Sequence, residues 1–490
     1  MSTLKFPINI LFFVSITSPV FCQNTTQIDV INYDILENKG HINTIDLYYK
    51  KKALYKELEL TNTGCHGYLL NAYYNQYLMI EESLRINYFI TKTPLNKYLE
   101  DIVADIQDKN STIFDVKTSY TVIIIRSNEV NAYCLGDRIL AVSLGLLASL
   151  ENEGELASVL CHELAHDVLE HHEKEMIHQA LMFSKDSIGA TINYTLDQGE
   201  NTSTKMEAYL SRVFSENITE NKKSEKEADS LSVLIYWASG YHHENAISAV
   251  NNIRVPILSK SKTSIYDYLI SKGLVLKQNL IYTGDDSRMS DINNTHPIDT
   301  VSAYLGTNER MKFLNKIQLK KPSEIKVIDT LLFYNLRINS LVQIILSDYY
   351  SNDPALAVAY SILLKELCAD QDFSDNLIII GLCKGALLKE QLILNKCIGS
   401  TDPNYTLSHN QVIQLMQKLK LSEINGTICP LTNTLKKDEG NVYSYTAILY
   451  TAYYCFDNVK YNYLIKNYKE LYKYSFFKND LIYLPKKKRK

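Results

Sequence analysis

From Glu153 to Gln179 no proline interrupts the chain, and Leu156, Val159, Leu160, Leu164, Val168 and Leu169 recur at three- and four-residue spacing. That period predicts a helix with one buried stripe. Asn152 offers an N-cap side chain, and Glu155 three residues on makes an arrangement like a capping box. A second helix opens at Ser224, with Ala228, Leu231, Leu234, Ile235 and Ala238 on its apolar face and Gly240 as its stop. Two β-rich runs, Tyr120 to Ile125 and Arg138 to Ser143, precede the first helix. Thr26 to Asn110 reads as mainly helical, most clearly over Leu54 to Leu60 and Leu69 to Ile90, and Leu146 to Asp186 as mostly helix. Ile188 to Asn221 is polar and reads as loop, while Tyr241 to Arg288 mixes helix and loop.

Beyond about Lys320 the pattern becomes a series of helices: Ile325 to Tyr350, Asp353 to Ala369, Asn376 to Lys396, Leu407 to Leu421 and Tyr443 to Leu471. Paired helices of this length fit a tetratricopeptide-like repeat or, equally, a plain bundle, because no repeat signature is clean. A chain of 490 residues holds two or three domains. The expected fold class is mainly α with a small β-sheet (α+β).

Chemistry enters with Cys161-His162-Glu163-Leu164-Ala165-His166, an H-E-x-x-H motif inside the first helix. Residues four apart share a helix face, so His162 and His166 can converge on one metal ion, and Glu163 falls beside them. The pentapeptide alone is equally compatible with two surface histidines, so a third ligand decides. His172 stands at the spacing of the metzincin pattern, but that pattern needs a helix-breaking Gly where this chain has Leu169. His171 and His172 are therefore read as polar residues on a continuing helix. The other candidate is Glu225, which with Asp229 shares a face of the second helix. Glu225 can complete a His-His-Glu site that leaves a position open for water, and Asp229 can accept a hydrogen bond from the outer nitrogen of a ligand histidine. Taken alone, the charge-rich run Ser224 to Asp229 reads as a solvated face, where Lys226 and Glu227 are placed.

The segment Asn131 to His172 resembles the M48 family of zinc metallopeptidases, in particular its soluble members. Ser224-Glu225-Lys226-Glu227-Ala228-Asp229 is similar to that family's E-x-x-x-D motif, and Thr295-His296-Pro297 to its downstream T-H-P motif. The resemblance implies a gluzincin-like metallopeptidase domain over 111–315. It implies one Zn2+ per chain on His162, His166 and Glu225, with Glu163 as general base and then acid, and Asp229 orienting a ligand. His296 would sit near the metal, either steadying the oxyanion or occupying the open coordination position; by its residues alone it is a loop histidine before a proline. The run Ile139 to Ser143 resembles the family's edge strand, which would pair with an extended substrate.

Four positions depart from the family pattern. Ser302 stands where an Arg usually follows T-H-P, Leu135-Gly136-Asp137 replaces Pro-Gly-Gly, Ser232 replaces a Gly after the E-A-D run, and Gly240-Tyr241-His242-His243 replaces a G-[YF]-D-P turn. The resemblance nonetheless implies a metalloendopeptidase acting on unfolded or misassembled envelope or secreted proteins. The competing reading is a chaperone-like or scaffold protein on the same fold with weak or no proteolysis, kept open by Ser302.

Lys5 followed by mostly apolar Phe6 to Val20 reads as a signal peptide over 1–22, because a membrane-spanning helix needs about 20 apolar residues. Export to a periplasm or secretion follows. Phe21 before Cys22 fits a lipoprotein signal poorly. The remainder divides into an N-terminal helical region (23–110), the peptidase domain and a C-terminal α-helical module (316–490) that offers a surface for an envelope partner. A net charge of -4 gives no reason to expect nucleic acid, and the basic tail Lys486 to Lys490 allows at most a peripheral membrane contact. Of nine cysteines, five lie after residue 360, where an oxidising compartment can staple the C-terminal part; connectivity cannot be read, and Cys161 is expected to be a buried small hydrophobe.

Overall fold

The computed structural model describes residues 20–21, 27–28, 66–183 except 87, 222–281 except 278–279, 326–431 except 369–370 and 403–404, 441–471 except 456–457, and 477. Most of the signal-peptide segment with Cys22, the polar stretch 188–221 and the Thr295-His296-Pro297 motif with Ser302 lie outside these residues. Among the described residues no helix is long and apolar enough to cross a membrane. The architecture is mainly α with a small four-stranded sheet, as expected, besides a two-residue antiparallel pairing of Val20–Phe21 with Gln27–Ile28.

Helix α1 (His66–Arg85) leads into β1 (Phe89–Ile90) and α2 (Pro94–Lys109). Thr93 caps α2 through a reciprocal capping box with Asn96, and Pro94 occupies the first turn, where its missing N–H costs nothing. The Asn96 amide also donates to the carbonyls of Ile90 and Val122, so the cap ties the helix to the sheet.

Strands β2 (Thr121–Ile125), β3 (Ala132–Cys134) and β4 (Ile139–Ser143) complete a four-stranded sheet in the order β1-β2-β4-β3. The pair β2·β4 is parallel, with Thr121 opposite Ile139 and Ser143 opposite Ile125. Both strands are rich in β-branched residues and β4 is buried throughout, as a parallel pair covered on both faces requires. Strand β3 pairs antiparallel with β4, Ala132 opposite Val142. Ile139–Ser143 is thus an interior strand, contrary to its expected place at the edge; the edge is β3. The physical reason is the crossover: β4 returns parallel to β2, and the intervening segment folds back as the short outer strand.

Ser143 ends β4 and caps α3 (Leu144–Ser149), which is wholly buried. Next come α4 (Glu153–Val168) and α5 (His171–Phe183). Asn152 caps α4 as expected, but the Glu155 carboxylate accepts from the backbone N–H of Glu151, one residue earlier than a capping box. Its oxygens also accept from Ser248 and Asn252 of α7 (His243–Arg254), which locks α7 across α4. Between α4 and α5 the expected continuous helix breaks. Glu170 takes φ 55, in the left-handed region, and the Lys174 ammonium donates to the carbonyl of Leu169 that the break frees.

Helix α6 (222–238) ends at Gly240, φ 82, as predicted. Its buried face differs from the expected apolar one: Glu225, Ala228, Asp229, Ser232 and Ile235 point inward, and Leu234 is exposed. A short helix α8 (Ile265–Ser271) follows α7.

The C-terminal helices are α9 (Thr330–Tyr350), α10 (Pro354–Leu367), α11 (Gln371–Glu390), α12 (Leu394–Ile398), α13 (Leu407–Lys418), α14 (Leu421–Leu431), α15 (Val442–Cys455) and α16 (Asn458–Leu471). The run expected as one helix over Tyr443 to Leu471 is two, and α14 was not foreseen. Cys429 of α14 and Cys455 of α15 form a disulfide. One buried apolar cluster runs from the sheet through α3 and α4 into α9, α10, α11 and α15. Arg337 of α9 donates to the carbonyl of Ala148 in α3, so these helices are anchored directly to the element that leads into the motif helix.

Candidate metal centre

Helix α4 presents His162 and His166 on one face. Cys161, Leu164 and Ala165 are fully buried between them and the core, and the Cys161 thiol, pushed up by burial, acts as a small apolar side chain. The C-terminal end of α4 is held to the sheet by Asp167, whose carboxylate accepts from the Tyr120 phenol at 2.7 Å and faces the Cys134 thiol and the Arg138 N–H. The backbone of the motif helix is thereby held against the sheet.

Helix α6 brings Glu225 to the same point. Its position rests on the buried Asn110 amide at the end of α2, which donates to the Ile235 carbonyl and the Ser239 hydroxyl, and on Lys109, which donates to the Ser239 carbonyl. Downstream, the Lys326 ammonium binds Asp105, Glu153 and the Tyr241 hydroxyl.

The Nε2 atoms of His162 and His166 are 3.1 Å apart; His162 Nε2 lies 3.4 Å from Oε2 of Glu225, and His166 Nε2 lies 3.4 Å from its other oxygen, Oε1. Bonds of about 2.0–2.1 Å at tetrahedral angles place ligand atoms about 3.3–3.4 Å apart. The observed separations are of that order, and the three side chains, each offering one ligand atom, form a group able to hold a metal. Burial alone would raise the Glu225 carboxyl, but the two imidazoles outweigh it and hold it well below the ordinary carboxylate range. On the far side of His162, Nδ1 lies 3.1 Å from the Asp229 carboxylate, as the spacing of Glu225 and Asp229 implied.

These groups open into a cavity of about 980 Å³. Half-buried Glu163 lines it beside the histidines. The opposite wall is Val130 to Cys134, which contains edge strand β3. Among the described residues nothing pairs with the outer edge of β3, so its backbone faces the cleft. Tyr133 points outward from it, with its hydroxyl accepting from Asn131 at 2.7 Å.

Residues 94–303 match the sequence model of peptidase family M48. Over this segment the chain is similar to that family. A putative beta-barrel assembly-enhancing protease of Vibrio cholerae is 26% identical over 161 residues, covering 32% of this chain and 33% of that protein. The mitochondrial metalloendopeptidase OMA1 of Arabidopsis thaliana is 30% identical over 123 residues, covering 25% of this chain and 23% of its own length. The chain thus spans about a third or less of the length of these relatives.

The structure brings His162, Glu163, His166, Glu225 and Asp229 of the M48 segment together; His296 lies outside the described residues. Two residues set aside in the sequence also reach the centre. His171 turns back at the α4–α5 break and meets His166, and Glu227, expected on a solvated face, meets His171. No glycine or proline marks that break, so its only sequence signal is a histidine five residues past the motif. His172 instead faces Gln76 of α1, whose amide also donates to the Leu135 carbonyl.

Proposed function

We propose that the chain is a zinc-dependent endopeptidase that hydrolyses peptide bonds of unfolded or misassembled exported proteins. One observation carries the reading: His162, His166 and Glu225 converge to within metal-ligand distances in a cleft walled by a strand edge that no described residue pairs with. Zinc, when held by His162, His166 and Glu225, supplies Lewis acidity that polarises a carbonyl and lets water ionise near neutral pH. Glu163 takes the proton of the attacking water and returns it to the leaving amine. Strand β3 holds the substrate by main-chain pairing, so the chain reads extended backbone more than side-chain identity. That mode selects segments without their own secondary structure and motivates unfolded proteins as the substrate class. The signal-peptide pattern of residues 1–22 supports an exported protein, and the C-terminal helices offer the surface for an envelope partner.

The test is degradation of unfolded casein by the purified chain beside a Glu163→Gln control, with zinc content measured for both. Cleavage by the parent alone, with equal zinc in both proteins, is expected. Zinc without cleavage in either would replace this reading with the scaffold one, in which metal and clients bind but nothing turns over.

A further inference from the structure

The break between α4 and α5 carries a cost. A non-glycine residue in the left-handed region, here Glu170, costs about 1–2 kcal/mol relative to helix, and no glycine relieves it. The break turns His171, which is buried, back against the motif helix. Its Nδ1 lies 3.0 Å from Nδ1 of His166, and its Nε2 lies 3.2 Å from the Glu227 carboxylate on α6.

The direction of these two hydrogen bonds follows from the metal-facing atom. His166 turns Nε2 toward His162 and Glu225. A neutral imidazole that binds a cation through Nε2 carries its proton on Nδ1. The atom opposite must then accept. Nδ1 of His171 accepts only when the proton of that ring sits on Nε2, and Glu227 is the acceptor that keeps it there. Both ring nitrogens of His171 are used in this way, so it is not a fourth ligand.

We infer that His171 is the positioning partner of His166, with Glu227 fixing the tautomer of His171, as Asp229 is the partner of His162. The inference rests on the metal-site reading above. Each ligand histidine then has its own outer partner: a carboxylate directly for His162, and a carboxylate through a second imidazole for His166. The ring orientation of His166, and with it the metal affinity, depends on a chain of contacts that crosses from α4 to α5 to α6.

The experiment is zinc affinity of the full chain, measured by competition with a chromophoric chelator, with Co2+ absorption and metal-free melting recorded in parallel. Loss of an outer partner typically weakens metal binding 10–100-fold. His171→Phe keeps a ring but offers no acceptor, and a loss in that range is expected. His171→Asn places an oxygen where Nδ1 stands, and its affinity should remain within about threefold of the parent. Glu227→Ala should weaken binding in the parent and add nothing in the His171→Asn background, where no tautomer needs fixing. The Co2+ band should keep its shape and intensity in every variant, because the ligands are unchanged. His171→Phe binding zinc as tightly as the parent, while Glu225→Ala loses it, would overturn the inference and leave the metal site standing. Equal losses in His171→Phe and His171→Asn, with matching drops in metal-free melting, would reduce His171 to a packing residue and also overturn it. No zinc bound by the parent would remove the metal-site reading and the inference together.

Discussion

The contact between Asp229 and His162 gives the sharpest measurable expectation at the centre. Asp229 is buried, and one of its carboxylate oxygens stands 3.1 Å from Nδ1 of His162. When Nε2 faces a metal, Nδ1 carries the proton and the carboxylate accepts it, a charge-assisted bond worth about 1.5–3 kcal/mol. Asp229→Ala removes that acceptor and frees the ring to rotate. The expected loss is 10–100-fold in zinc affinity, about 1.4–2.7 kcal/mol. Asp229→Asn keeps an oxygen in place without the charge and should fall between. In the metal-free chain the same substitution removes a buried carboxylate and leaves an imidazole that can stay neutral, so its melting temperature should fall less than the zinc affinity does. Chelator competition measures the affinity and calorimetry the metal-free fold. Asp229→Ala binding zinc like the parent would refute the argument. So would a loss of metal matched by an equal loss of metal-free stability, which would make Asp229 a packing residue.

Two further expectations concern the frame. A Cβ on Gly145 would lie 2.2 Å from the Glu129 carbonyl and 2.3 Å from that of Asn128, both backbone atoms leading into β3, so Gly145→Ala should destabilise by about 2–3 kcal/mol in urea unfolding; an unchanged midpoint would contradict this close approach. His409 in α13 is buried with Nε2 lacking a hydrogen-bond partner among the described residues, and burial pushes its pKa down to about 4 from an ordinary 6.5. Between those values the unfolded chain takes up the proton and the folded one resists, so His409 contributes about 3 kcal/mol above pH 6.5 that is lost as pH falls to about 4. His409→Leu should flatten the fall in unfolding free energy between pH 7 and pH 4.5, and identical slopes in the two proteins would refute it.

Helices with strong caps and a clear stripe were legible before any coordinates. Asn152 at the start of α4 and Gly240 after α6 are local signals, and both act as read. Elements set by tertiary pairing were not. Strand β3 has only Ala132, Tyr133 and Cys134, too few for an alternating pattern, and it exists because β4 offers it a partner. β4 reads as a continuous apolar run, which suits an interior strand, yet the family pattern placed it at the edge. On α6 the stripe misled because three inward residues are Glu225, Asp229 and Ser232. A helix that carries a metal ligand buries polar groups, so counting apolar positions rotates it the wrong way and assigns exposed Leu234 to the core.

The centre divides along the same line. His162, Glu163 and His166 are fixed by one helical turn, and helix geometry alone makes them converge. Glu225 is different, because it reaches His162 only if α6 crosses α4 at one height and angle. That crossing is set by residues with no catalytic signature: Asn110 and Lys109 grip the Ser239 turn, and Lys326 links Asp105, Glu153 and Tyr241 beneath it. The same crossing carries Glu227 to His171, so one rigid-body placement of α6 delivers the third side chain of the triangle and both carboxylates that face the outer nitrogens. A shift of α6 by one residue would lose all three contacts together. The buried polar contacts around Asn110, far from any reacting atom, therefore hold the metal triangle as much as the motif that announces it.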